Sequence, residues 1–365
     1  MTVPARPIHL EPGSPHTGPA LAVPGRRAFL LALTTVAPGL GLAATAASDP
    51  GTAAPATLPP ASAWPRKAIR LIVPTSPGSD VDRIARTLAD PLGRLLGQSI
   101  VVESRPGNHG NLAATLVGDA PSDGYTLLMA TETMPCINTL MYTRGSIDPH
   151  RKLIGINQIA DTPLVLLTHR MSRFRSLTPL LRQARRNREV LHYGCQGYGS
   201  ASHLAMLSLH QETGLPFDYR SFKDTRSMLQ ALQAGELELA CLPADPAFSA
   251  LADGRVRAIG LTSAKRNPLL PQVMPLAQQS GVANGFRFEG WLGLLAPAHT
   301  PSAILIRIND ALIQSSQHPP LLDALRRHGY ERRVYSTPDD FQTKFGEELT
   351  RNRRIIERAG LRLRH

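Results

Sequence analysis

Two short segments hold the residue types that recognise an anion. Thr75-Ser76-Pro77-Gly78-Ser79 offers three hydroxyls beside backbone N–H groups, and Gln196-Gly197-Tyr198-Gly199-Ser200 repeats the device. A carboxylate leaving water needs donors that replace its hydration. Glycine lets the backbone approach closely. Each segment also precedes a stretch with helical spacing, and the positive end of a helix favours an anion. Two such ends facing one cleft would hold a dianionic or zwitterionic ligand from both sides. Asp82 is placed to accept from a ligand ammonium or to order the first loop. His203, in the first turn of the second helix, has the same two roles open to it. Thr131 and Thr133 follow a third strand and complete the hydroxyl-rich set. The same residue types are ordinary helix caps, so a plain strand–helix connection reads alike from composition.

Other chemistries find less support. Cys195 and His203 suggest a thiol nucleophile and base, but they lie eight positions apart with no evident orienting partner. Neither a G-x-S-x-G elbow nor a dinucleotide fingerprint is present. No enzyme activity and no cofactor are expected. Three cysteines, Cys136, Cys195 and Cys241, exclude a disulfide framework, and none pairs at metal-ligand spacing. Cys195 and Cys241 end strands that should be neighbours, where a disulfide would be strained.

The elements that must position these residues alternate in type. Strands are expected at residues 69–73, 99–103, 125–130, 164–167, 190–194, 237–242 and 257–262. A helix of about four turns is expected along the stripe from Val81 to Leu96, then helices at 113–117, 177–187, 201–212, 225–233, 302–315, 321–328 and 338–359. The first helix shows the rule: Val81, Ile84, Ala85, Leu88, Ala89, Leu92, Leu95 and Leu96 recur at helical spacing after a Ser79 or Asp80 cap. Such alternation argues for an α/β fold with parallel sheets covered by helices. Ligands in open α/β sheets bind beyond the carboxyl ends of the strands, where the turns after Val73, Ala130 and Cys195 point.

A chain of 365 residues suits two domains. Its formal charge of +12 invites a nucleic-acid reading, but aromatics are only 5% and the arginines fall in dispersed clusters, so solvated helix faces account for them. Nucleic acid is not an expected partner, and a monomer is expected. Arg26-Arg27 precedes an apolar, small-residue run that reaches Ala44-Thr45-Ala46. This is the layout of a signal peptide with a twin-arginine-like start, over residues 1–47 with an N-terminal extension, cleaved near Ala46. Pro38, Gly39 and Gly41 make it a poor membrane span, which needs about 20 strongly apolar residues. Residues 48–63 read as a Pro/Ala linker. The mature protein is expected in the periplasm.

From Trp64 to Leu361 the chain resembles the Bug receptors, the extracytoplasmic solute-binding proteins of the tripartite tricarboxylate transporter family. The resemblance rests on ordered, well-spaced segments. They are Trp64-Pro65-Arg66-Lys67-Ala68-Ile69-Arg70-Leu71-Ile72-Val73-Pro74 with Gly78 and Asp82, and Glu103-Ser104-Arg105-Pro106-Gly107 with Gly110-Asn111. Asp123-Gly124-Tyr125-Thr126-Leu127-Leu128, Ile137-Asn138, Tyr193, Gly197, Gly199 and His203 follow. Leu261-Thr262-Ser263-Ala264-Lys265-Arg266, Trp291-Leu292-Gly293-Leu294-Leu295-Ala296-Pro297 and Thr300-Pro301 close the series.

The resemblance implies a two-lobed periplasmic-binding-protein fold of the Venus-flytrap, type II kind, with two crossover strands. Lobe 1 would be residues 64–164 plus 292–365, and lobe 2 residues 165–291. It implies a small carboxylate or amino-acid-like ligand, delivered to membrane transporter subunits. The alternative is a ligand-sensing receptor feeding a two-component sensor kinase. It also adds Lys223, which falls where the family carries a lysine after an aromatic, here Phe222. Several positions depart from the family pattern. Thr75 stands for an aromatic, and Ser79, His109 and Asp224 stand for glycines. Leu242 stands for a polar or acidic residue, and Cys195 and Gln196 stand for small hydroxyl residues. These changes cluster at the expected pocket and leave the ligand's identity open.

Overall fold

The computed structural model describes residues 64–141 and 148–361. The expected signal peptide and linker lie outside the described residues. In chain order the elements are β1 (Ile69–Val73), α1 (Asp80–Leu96), β2 (Ile100–Ser104), α2 (Asn111–Gly118), β3 (Thr126–Thr131), α3 (Thr139–Met141), α4 (Pro149–Lys152), β4 (Leu153–His169), α5 (Leu177–Asn187), β5 (Leu191–Gly194), α6 (Ala201–Thr213), β6 (Phe217–Arg220), α7 (Thr225–Ala234), β7 (Leu239–Pro243), α8 (Ala244–Ala252), β8 (Val256–Leu261), β9 (Glu289–Pro297), α9 (Ser302–Ser315), α10 (Pro319–Arg327), β10 (Glu331–Arg332) and α11 (Pro338–Arg358).

Strand direction decides where the loops go. β1 runs parallel to β2 and to β3. β9 is antiparallel to both β3 and β4, so the first half of β4 runs the same way as β1–β3. The second half of β4 pairs antiparallel with β7 and β8, while β5 is parallel to β7 and β6 to β5. The carboxyl ends of β1–β3 and those of β5–β8 therefore point towards each other across the middle of β4. The sheets are mixed rather than parallel throughout. Two crossover strands force this, because one carries the chain across and the other must return antiparallel beside it.

β4 is 17 residues long, where only residues 164–167 read as strand. Its first half escapes the apolar-run rule because Asn157, Gln158 and Asp161 interrupt it. All three are buried and hydrogen-bonded, although the Gln158 side-chain oxygen has no partner among the described residues. Asn157 donates to Asn309 and to the Tyr335 carbonyl, and Gln158 donates to Asp161 at 2.7 Å. β6, α8 and β10 are likewise additional to the expected elements.

Four apolar clusters form the interior. One unites β1, β3, β4 and β9 with α1, α9 and α10. Another lies between α2, β9 and α11, where Trp291 meets Phe341 and Phe345 edge-on at 5.2 and 6.1 Å. The remaining two hold β4–β8 with α5–α8. Ile355 and Ile356 of α11 join the cluster around β5 and α6, so this helix packs against elements on both sides of the crossover. Trp291 is fully buried in β9 itself. Trp291→Ala is expected to lower unfolding free energy by about 3–5 kcal/mol, read from urea midpoints, because the cavity cannot collapse against a strand pinned on both edges. A loss below about 1 kcal/mol would mean the crossover repacks freely.

Candidate functional site

The first loop is held from inside. Ser79 caps α1, its hydroxyl accepting from the Asp82 N–H at 3.2 Å, and it bonds the Thr75 hydroxyl at 2.7 Å. Gly78 sits at φ 81°, a left-handed turn that carries the chain into the helix. Asp82 is buried. It accepts from the Gly78 N–H, the Ser104 hydroxyl and Arg86. Burial opposes its ionisation, but these donors outweigh burial and lower its pKa. Every oxygen of Asp82 thus serves the loop, tying it to the end of β2.

The second loop is built the same way. Ser200 caps α6, accepting from the His203 N–H at 3.2 Å. His203 is buried against Tyr193, Tyr198 and Tyr219, and its Nδ1 accepts from the Gly199 N–H at 2.9 Å. Burial pushes its pKa down to about 4, so the ring is neutral and shaped to accept. His203 therefore orders its loop as Asp82 orders the first. Cys195 and Cys241 follow register partners on the adjacent strands β5 and β7, and both are buried free thiols. Burial raises both thiols, Cys195 to about 11, which leaves no thiolate for nucleophilic work.

With the caps engaged, the donors left for a ligand can be named. The amides of Gly78, Ser79, Gly199 and Ser200 are taken by Asp82, the Ser76 carbonyl, His203 and the Gly197 carbonyl. No acceptor among the described residues faces the amides of Thr75, Ser76, Gln196 or Gly197. Ser76 and Gln196 are exposed, and Thr75 and Gly197 are half-buried. The electrostatics of the two ends differ. The first turn of α1 carries Asp80 and Asp82, Asp80 accepting from the Tyr330 hydroxyl, whereas the first turn of α6 carries no acid. The α6 end is the stronger anion site.

Thr131 ends β3 and Thr133 begins the turn after it, both half-buried. That turn touches the loop after β2 on one side and the second loop on the other. The Asn138 amide donates to the His109 carbonyl at 2.8 Å, and Met141 packs where a side chain on Gly199 would project. Lys223 is exposed just past the carboxyl end of β6, before the Asp224 cap of α7. Asn108 and His109 adopt φ of 46° and 53°, the left-handed region that favours glycine.

One group escapes sequence reasoning. Glu132, between Thr131 and Thr133, is buried, and its Oε1 accepts from Asn352 at 2.9 Å and Arg351 at 3.1 Å. Glu348, held by Lys344 at 2.6 Å, lies close by. Burial, reinforced by the Glu348 charge, raises the Glu132 pKa from 4.5 to about 7. The folded chain keeps a proton that the unfolded chain loses, so stability falls as pH rises from about 4.5 through 7. Glu132→Gln is expected to match the wild type near pH 4.5 and exceed it at pH 8 in urea midpoint. A variant less stable by the same amount at every pH would refute this.

The family model described as tripartite tricarboxylate transporter family receptor matches residues 84–361. A relative, the UPF0065 protein in the tcbD-tcbE intergenic region of Pseudomonas sp. (strain P51), is 30% identical over 294 residues, 80% of this chain and 87% of its own. Among solved structures, R. palustris Rpa4515 with adipate is 29% identical with TM-score 0.67, covering 81% of this chain and 98% of its own. MatC from Rhodopseudomonas palustris with bound malate is 25% identical with TM-score 0.63, covering 80% and 100%. These are solute-binding receptors, not enzymes, and their fold is the two-lobed type II fold with paired crossover strands. The chain belongs to the tripartite tricarboxylate transporter receptors, the family that includes the Bug proteins.

Proposed function

We propose that this receptor captures a small carboxylate between two lobes and delivers it to the membrane subunits of a tripartite tricarboxylate-type transporter. Lobe 1 is residues 64–164 plus 292–365, and lobe 2 is residues 165–291. The observation that carries the reading is the opposed pair of capped loops, with open amides at Thr75 and Ser76 on one side and at Gln196 and Gly197 on the other. Ser76, Ser79, Thr131 and Thr133 add hydroxyls, and Lys223 adds charge at the rim. Asp82, His203, Gly78, Gly199 and Ser200 hold the two loops in shape. The adipate and malate held by relatives favour a ligand among the small dicarboxylates.

Receptors of this family are periplasmic. Export through residues 1–47, with cleavage near Ala46, fits that location, and N-terminal sequencing of the exported protein checks it. A thermal-shift panel of mono-, di- and tricarboxylates and amino acids tests the ligand class. An acid supplied at about 100 times its dissociation constant raises apparent stability by about 2.7 kcal/mol. No shift with any acid would remove the carboxylate from the account.

A further inference from the structure

A cavity of about 640 Å³ lies between α6, residues 283–287 and α11. None of the two loops' residues lines it. Four arginines do: Arg287, Arg351, Arg354 and Arg358, against two carboxylates, Glu212 and Glu347. Two of the four are already committed. Arg287 bonds Glu289 and reaches Asp161 at 3.4 Å. Arg351 bonds Glu132 at 3.1 Å, reaches Glu348 at 3.7 Å and lies over the Phe288 ring.

Arg354 and Arg358 are different. They stand four apart on one face of α11, both exposed, and neither has an ion-pair or hydrogen-bond partner among the described residues. Like charges at this spacing repel and destabilise a helix. An anion between them would turn that repulsion into two charge-assisted hydrogen bonds, with a guanidinium fork suited to paired oxygens. Thr350 on the same face and Gln211 across the cavity offer neutral polar groups.

We propose that this cavity is a second anion site, taking a multivalent oxyanion of the polyphosphate or polycarboxylate class on Arg354 and Arg358. Calorimetric titration of the full chain with pyrophosphate and, separately, with citrate tests it, each set against sodium chloride at equal ionic strength. Saturable binding is expected, and Arg354→Gln with Arg358→Gln should weaken it about tenfold or more. These side chains are exposed and repel each other, so the double variant should melt no lower than the wild type. Ser79→Asp, which blocks the cleft, should leave pyrophosphate binding intact; retention there separates this site from the cleft. Preference for pyrophosphate or for citrate assigns the oxyanion to one class. Equal affinity in wild type and double variant, loss of pyrophosphate binding in Ser79→Asp, or heat reproduced by chloride alone would overturn the proposal.

Discussion

Ser79→Asp and Ser200→Asp should each abolish carboxylate binding while leaving the fold intact. Aspartate is as good an N-cap as serine, so α1 and α6 keep their first-turn bonds to Asp82 and His203. What changes is charge. A carboxylate about 4 Å from a bound anion costs about 4 kcal/mol at an effective dielectric near 20, roughly a thousandfold in affinity. The first loop already stands beside Asp80 and Asp82, so a third acid there compounds an existing repulsion. The second loop has no acid in its helix's first turn, so the change is largest in relative terms there. Titration of the acid selected by thermal shift reads both variants. Binding within about threefold of wild type in either one would remove that loop from the site.

Gly199→Val should weaken ligand binding about thirtyfold. Gly199 is buried at φ 74°, where a side chain meets its own backbone at a cost of about 1–2 kcal/mol, more for a β-branched residue. The added carbon would also stand 2.8 Å from Cε of Met141. These obstacles are unequal. The end of a methionine side chain swings aside, whereas φ cannot change without breaking the Gly199–His203 bond and dragging Gln196 and Gly197 with it. Adding Met141→Ala should therefore recover little of the loss. Full recovery would make the contact, rather than the turn, the controlling feature. Affinity unchanged by Gly199→Val would show that the second loop's shape does not matter to the ligand.

The features legible in the amino-acid sequence are those in which one residue type has one local use. Ser79 before the Val81–Leu96 stripe and Ser200 before α6 read as caps, and both are caps. α5 and α9 fall on their expected bounds. The first half of β4 is not legible in this way. Asn157 and Asp161 look like loop residues until their partners at Asn309, Tyr335 and Arg333 are in place, each more than 150 positions along the chain. Glu132 is opaque for the same reason, since its partners arrive from α11. In the site, the residue types are readable but their division of labour is not. Asp82 and His203 look like ligand groups, and only their bonds to Gly78 and Gly199 show that the Asp82 carboxylate and the His203 Nδ1 are spent on the loops. The donors left over, at Thr75, Ser76, Gln196 and Gly197, are backbone groups that no side-chain pattern marks.

Those amides are the most direct point of attack. Hydrogen–deuterium exchange of the full chain, with and without a saturating amount of the acid selected by thermal shift, reads them in one experiment. The account predicts that residues 75–79 and 196–200 both gain protection, together. Protection confined to one loop, or absent from both while the acid still binds, would contradict a ligand held between them.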